Sequence, residues 1–224
     1  MKKLFASLLV LLTASMFANE SLIFGYGFVG SFSADDSDYD PTNLDFSTDF
    51  DIQGVGLNFL RFQDTQNLYF SLSLERSSGE GEGCYQGIRT IAPVNLCPDL
   101  ESDGINFGAE IGRKMNRFTP FLGINYSQTE VEALFPATGP PPLFNFEIAE
   151  ESETTFHAGV WFTRENTRFR ATMYSINNEE SREISFGIIQ SPLTNKFAIG
   201  GEIRTLINDN SNGTSVALYF GWRL

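Results

Sequence analysis

The last nine residues alternate without a break. Val216, Leu218, Phe220, Trp222 and Leu224 are apolar, and Ala217, Tyr219, Gly221 and Arg223 stand between them. A strand sends successive side chains to opposite faces, so this segment is a ribbon with one oily and one mixed face. The same period-two texture recurs through the chain and predicts ten strands. The first, 22–32, sets Leu22, Phe24, Tyr26, Phe28 and Phe32 against Gly25 and Gly27. In the second, 52–62, Val55, Leu57 and Phe59 form the apolar face, although the parity there is ambiguous. The third opposes Leu68, Phe70, Leu72 and Leu74 to Tyr69, Ser71, Ser73 and Glu75. Segments 105–112, 121–127, 156–162, 169–174, 184–188 and 197–204 repeat the pattern, and the terminal comb completes the set. Misreading the weaker second and ninth segments would leave eight strands.

The connections alternate in length. Those at 63–67, 113–117, 163–167 and 191–196 are short, whereas 33–49, 76–102 and 130–153 are long; 177–182 and 207–213 are brief. Tight turns on one rim and long loops on the other are typical of outer-membrane barrels.

Residues 1–18 read as a signal peptide: Lys2 and Lys3, an apolar run over 4–12, then small residues and cleavage after Ala18. Asn19 is not the cysteine of a lipid attachment site. The remaining stretch, 19–224, is expected to form one domain with no membrane-spanning helix. Loss of the leader takes the formal charge from −13 to −15, which argues against nucleic-acid binding.

Alternation alone does not say whether the oily comb points to lipid or into a core. A secreted lipocalin-like barrel is the rival. Three features favour lipid. The mixed face carries Glu75, Glu110, Arg170, Glu202, Arg204 and Arg223. Aromatics crowd the strand ends at Phe62, Tyr69, Phe70, Phe118, Phe162, Phe169, Phe197 and Trp222, where interfacial girdles sit. Finally, the chain ends inside a strand. Trp222, two places before the terminal Leu224, resembles the closing strand of bacterial outer-membrane β-barrels, although that family usually ends in Phe or Trp.

The resemblance implies a closed, antiparallel, up-and-down transmembrane β-barrel in the outer membrane of a Gram-negative bacterium. Its implied partners are outer-membrane lipid, lipopolysaccharide and the assembly machinery that reads the last strand. It is specific for location and weak for role.

No Lys or Arg lies between Lys3 and Arg61, and the first and third long connections are acidic. Basic residues instead gather at the short turns: Arg61, Arg113, Lys114, Arg117, Arg164, Arg168 and Lys196. Solvation of exposed loops accounts for the acids. A sharper expectation is that Asp36, Asp38 and Asp40 bind Ca²⁺ or Mg²⁺, bridging to lipopolysaccharide phosphates. Cys84 and Cys97, an even pair in an exported chain, predict a disulfide.

His157 is the single histidine and falls on the mixed face. Ser127, Glu110 and Tyr174 are its candidate partners, but no catalytic signature surrounds it. Glu75, Glu110, His157, Arg170, Glu202 and Arg204 are therefore expected to form a polar network in the lumen. No cofactor and no enzymatic activity are expected. The preferred role is structural or surface interaction through the acidic loops, with an extracellular ligand. A narrow porin-like channel for ions or small solutes is the alternative, and an outer-membrane enzyme comes last.

Overall fold

A computed structural model describes residues 20–36, 44–63, 65–89, 92–134, 145–179, 181–191, 196–208 and 211–224. The leader therefore lies outside the described residues. The described residues form eleven strands: β1 (Glu20–Asp36), β2 (Leu44–Gln63), β3 (Leu68–Arg89), β4 (Ala92–Leu96), β5 (Asp99–Arg113) and β6 (Phe118–Leu134). They continue with β7 (Asn145–Arg164), β8 (Thr167–Tyr174), β9 (Glu183–Gln190), β10 (Phe197–Leu206) and β11 (Ser211–Arg223). Each barrel strand pairs antiparallel with its sequence neighbours, β1 pairs with β11, and β2 with β3, so ten strands form a ring. β4 is an annex on β3 and takes no part in the ring. Closure leaves no sheet edge, which a hydrocarbon solvent requires.

All ten expected segments are strands, but three of the expected long loops are mostly strand as well. β2, β3 and β7 run 20, 22 and 20 residues, whereas about 9–11 span a bilayer. Roughly half of each therefore rises beyond the hydrocarbon as a tall wall. The sequence hid this because the alternation there sets acids against few apolar residues: β2 keeps Phe46, Phe50 and Ile52, while the upper parts of β3 and β7 are mostly polar or glycine. Glycines also interrupt the pattern: Gly79 and Gly81 lie beneath the ring of Phe50 on the neighbouring strand.

The oily combs point outward. Ile111, Leu122, Phe186, Leu218 and Phe220 are 59–66% exposed, while Ser185, His157 and Glu202 on the opposite face are buried. Such a surface is matched by lipid chains and not by water. Phe118, Phe162 and Phe169 stack in a row at the short-turn end, with Phe197 on Trp222 beside them, forming an aromatic girdle.

β1 inverts the expectation. Leu22, Phe24 and Tyr26 are buried in the lumen, and Val29 is on the outside. Phe62 and Tyr69, expected in the girdle, also lie inside. Together with Leu60, Phe121, Trp161, Ile189 and Tyr219 they make a compact interior cluster. A ten-stranded ring is wider than its polar side chains alone fill, and one strand with its large residues turned inward closes the gap. Period-two spacing cannot report this, since it is blind to which face is which.

Candidate functional site

The mixed faces of β5, β7, β8, β10 and β11 converge on one buried network. Glu110 Oε1 accepts from Arg170 Nη2 at 2.5 Å and lies 3.1 Å from His157 Nε2. Tyr69 donates its hydroxyl to Glu110 Oε2 at 2.5 Å. Arg170 continues to Thr172 Oγ1 at 2.8 Å and to the Tyr174 hydroxyl at 3.0 Å. Tyr174 in turn donates to Glu202 at 3.3 Å, and Glu202 also accepts from Arg204 Nε at 2.8 Å and from Tyr219 at 2.9 Å. Glu75 joins through Tyr26, whose hydroxyl donates to it at 2.9 Å and whose ring packs on Tyr219. All six residues singled out from the sequence therefore meet in one chain of contacts.

Aromatic rings wrap the charges. The Arg170 guanidinium lies 5.0 Å from the Phe121 ring centre and 5.3 Å from that of Trp161. Two glycines make this packing sterically feasible. A Cβ on Gly123 would strike the His157 imidazole, and one on Gly56 would strike the Tyr26 ring. Buried charges survive only when paired and hydrogen-bonded, and here Glu110 and Glu202 are paired with Arg170 and Arg204, so the network is a plug and not a set of free reagents. Among the described residues, His157 Nδ1 and Trp161 Nε1 are its unbonded polar atoms.

A second cluster at the short-turn end was not anticipated. Glu20 binds Arg168, accepts from Arg223 Nη2 at 2.9 Å and meets Ser191 Oγ at 3.4 Å. The Arg168 guanidinium also covers the Phe62 ring at 4.3 Å. The sequence places Arg168 beside a short turn and Arg223 on a mixed face, with nothing to link them. Only the ring closure, which brings β1 beside β11, assembles them around Glu20.

Below the upper network the lumen holds side chains, with a void of about 10 Å³ between Phe24, Trp161 and Tyr219. Above it, on the tall-wall side, lies a vestibule of about 290 Å³ lined by Tyr26, Phe28, Glu75, Glu153, Tyr174, Glu183 and Arg204, among others.

The outer face of the tall wall carries aligned carboxylates. Asp51, Glu80, Glu101 and Glu132 are register partners across β2, β3, β5 and β6. Asp49, Glu82 and Asp99 form a second row, and Asp103, Glu130 and Glu150 a third. Arg76, 3.7 Å from Asp103, is a basic side chain beside these rows. Like charges directly opposite oppose pairing, so this face holds negative charge at a cost in stability.

Asp38 and Asp40, expected to bind a cation, lie outside the described residues, as does the Asp36 side chain. Among the described residues the potential ligand group is Glu82 with Cys84 and Cys97, whose sulfurs are joined in the disulfide. Of the candidate partners of His157, Glu110 touches it and Tyr174 stacks on it at 5.1 Å, while Ser127 lines the vestibule. No hydroxyl nucleophile is hydrogen-bonded to the imidazole among the described residues.

Comparison with solved structures places the barrel in a known architecture. The translocator domain of the autotransporter NalP from Neisseria meningitidis aligns over 100% of this chain and 96% of its own, at 8% identity and a TM-score of 0.51. The fold is that of an outer-membrane β-barrel. The β domain of the Bordetella autotransporter Brka aligns over 90% of this chain and 98% of its own, at 10% identity and a TM-score of 0.48. The toluene transporter TodX of Pseudomonas putida covers 94% of this chain and 91% of its own, at 9% identity and 0.41. No protein-family model and no curated protein matches the sequence. At these identities the likeness extends to the barrel and no further.

Proposed function

We propose that this outer-membrane barrel sits in the outer membrane of a Gram-negative bacterium as a sealed scaffold that presents its tall acidic wall to partners outside the cell. The observation that carries the reading is the contrast between the two ends. The lumen is filled from the Glu110–Arg170 network down to the Glu20 cluster, while β2, β3, β5, β6 and β7 extend well past the span a bilayer needs. Lipid and lipopolysaccharide surround the oily band in this reading, and the assembly machinery inserts the barrel by its final strand. His157 serves the plug and not a reaction. A porin-like role would need a water path where Trp161, Tyr69 and Phe24 now pack.

Planar-bilayer recording of the refolded mature chain tests the proposal. The expected trace is silent. Steady unit conductance steps would overturn the sealed reading in favour of a channel.

A further inference from the structure

The vestibule has a charge and a shape that the plug does not explain. Glu75, Glu153 and Glu183 enter it from β3, β7 and β9, that is, from three separate parts of the ring. The cation in its wall, Arg204, is committed to Glu202 at 2.8 Å and lies over the Tyr174 ring at 4.9 Å. Glu153 accepts from the neutral Asn178 amide and Glu75 from the neutral Tyr26 hydroxyl, and the Arg204 charge is shared among Glu202, Glu75 and Glu183, so carboxylates outnumber the cation in the wall. β1 turns Phe28 and Phe32 into the same cavity. Two wall atoms, Asn106 Oδ1 and Ser181 Oγ, are buried with no hydrogen-bond partner among the described residues. A low-dielectric cup with an excess of carboxylates beside aromatic faces attracts a cation that has an apolar part.

We propose that the vestibule binds a small organic ammonium ion, its charge held among Glu75, Glu153 and Glu183 and its carbon skeleton against Phe28 and Phe32. The inference rests on the proposed outward orientation of the tall wall, which gives the cavity access to the outside. About 290 Å³ suits a ligand at the small end of ordinary binding pockets. The acid rows on the wall would raise the local concentration of such a cation before it enters.

Isothermal titration of the refolded, detergent-solubilised mature chain with phenethylammonium tests the assignment. The expected result is saturable binding with a sub-millimolar dissociation constant. Phenethyl alcohol, the uncharged analogue, should bind at least tenfold more weakly. Replacing Glu153→Gln and Glu183→Gln together should weaken phenethylammonium at least tenfold. The matched pair Glu101→Gln and Glu130→Gln, which removes the same charge from the outer wall, should change it less than twofold. Heat-modifiable gel mobility confirms that each variant is folded. Three outcomes overturn the proposal: no saturable heat from the folded protein, equal affinity for the alcohol, or an equal loss from the wall variant. Conductance steps in a bilayer would instead sink the sealed-barrel reading and leave this binding result standing.

Discussion

Glu110 on β5 and Arg170 on β8 meet inside the lumen at 2.5 Å, and both side chains are buried. The pair ties together strands that do not hydrogen-bond to each other, so it braces the ring internally. Removing one partner strands a buried charge, which costs about 3–5 kcal/mol, whereas replacing both with apolar groups is much milder. Arg170→Met alone should therefore lower the urea midpoint of the refolded barrel strongly. Adding Glu110→Gln to it should recover part of the loss. A double variant as unstable as the single one would show that the ion pair is not the brace.

Gly123 faces the lumen and Gly25 the outside of the barrel, and they should respond oppositely to a methyl group. A Cβ at Gly123 meets the His157 ring, while one at Gly25 meets nothing within 4 Å. Gly123→Ala should be destabilised by about 1–3 kcal/mol, the usual cost of overpacking. His157→Ala in the same chain should relieve most of it. Gly25→Ala should be neutral or stabilising by up to about 1 kcal/mol, because glycine is a poor strand residue. Unfolding curves of the four variants in lipid vesicles check the set, and a Gly123→Ala barrel of wild-type stability would contradict it.

How much of this was legible beforehand follows from what alternation encodes. Strand positions and the pairing of short turns were readable because Leu68, Leu72 and Ile124 repeat at period two between breaks. Which face is wet was not, since Leu22, Phe24 and Tyr26 carry the same pattern as Leu218, Phe220 and Trp222 yet point the other way. The six lumen residues could be named from their position on mixed faces. Tyr69, Tyr219 and Thr172, which satisfy them, could not, because their role depends on contacts between distant strands. Glu20 was invisible for the same reason: its partners lie 148 and 203 residues away.

A charge on the outer face should discriminate lipid from water directly. Leu122, the fifth of the 17 residues of β6 and so midway along a bilayer-spanning stretch that starts at Phe118, is 65% exposed, and its neighbour Phe121 is buried in the lumen. Leu122→Arg should cost about 2–4 kcal/mol in a bilayer, as for Arg or Lys at the hydrocarbon midplane. The same change on a water-facing strand would cost a few tenths of a kcal/mol. Equilibrium refolding into phospholipid vesicles measures the difference, and a negligible loss would mean that the oily combs do not contact hydrocarbon.

The disulfide should matter to the tall wall and not to the ring. Cys84 lies in the upper part of β3, across from Ser47 of β2, and is joined to Cys97 just after β4. The bridge encloses a loop with a sequence separation of 13, for which the chain-entropy estimate is about 3 kcal/mol. That stabilisation acts on the β3–β4 excursion, because the membrane-level pairs of β3, Leu68 to Glu75, are held by β2 and β5 independently. Reduction and alkylation should therefore leave heat-modifiable mobility intact while opening the segment around Arg89 to trypsin. Loss of the folded band on reduction would show that the bridge is needed by the barrel itself. Unchanged resistance at Arg89 would show instead that β4 holds the excursion without it.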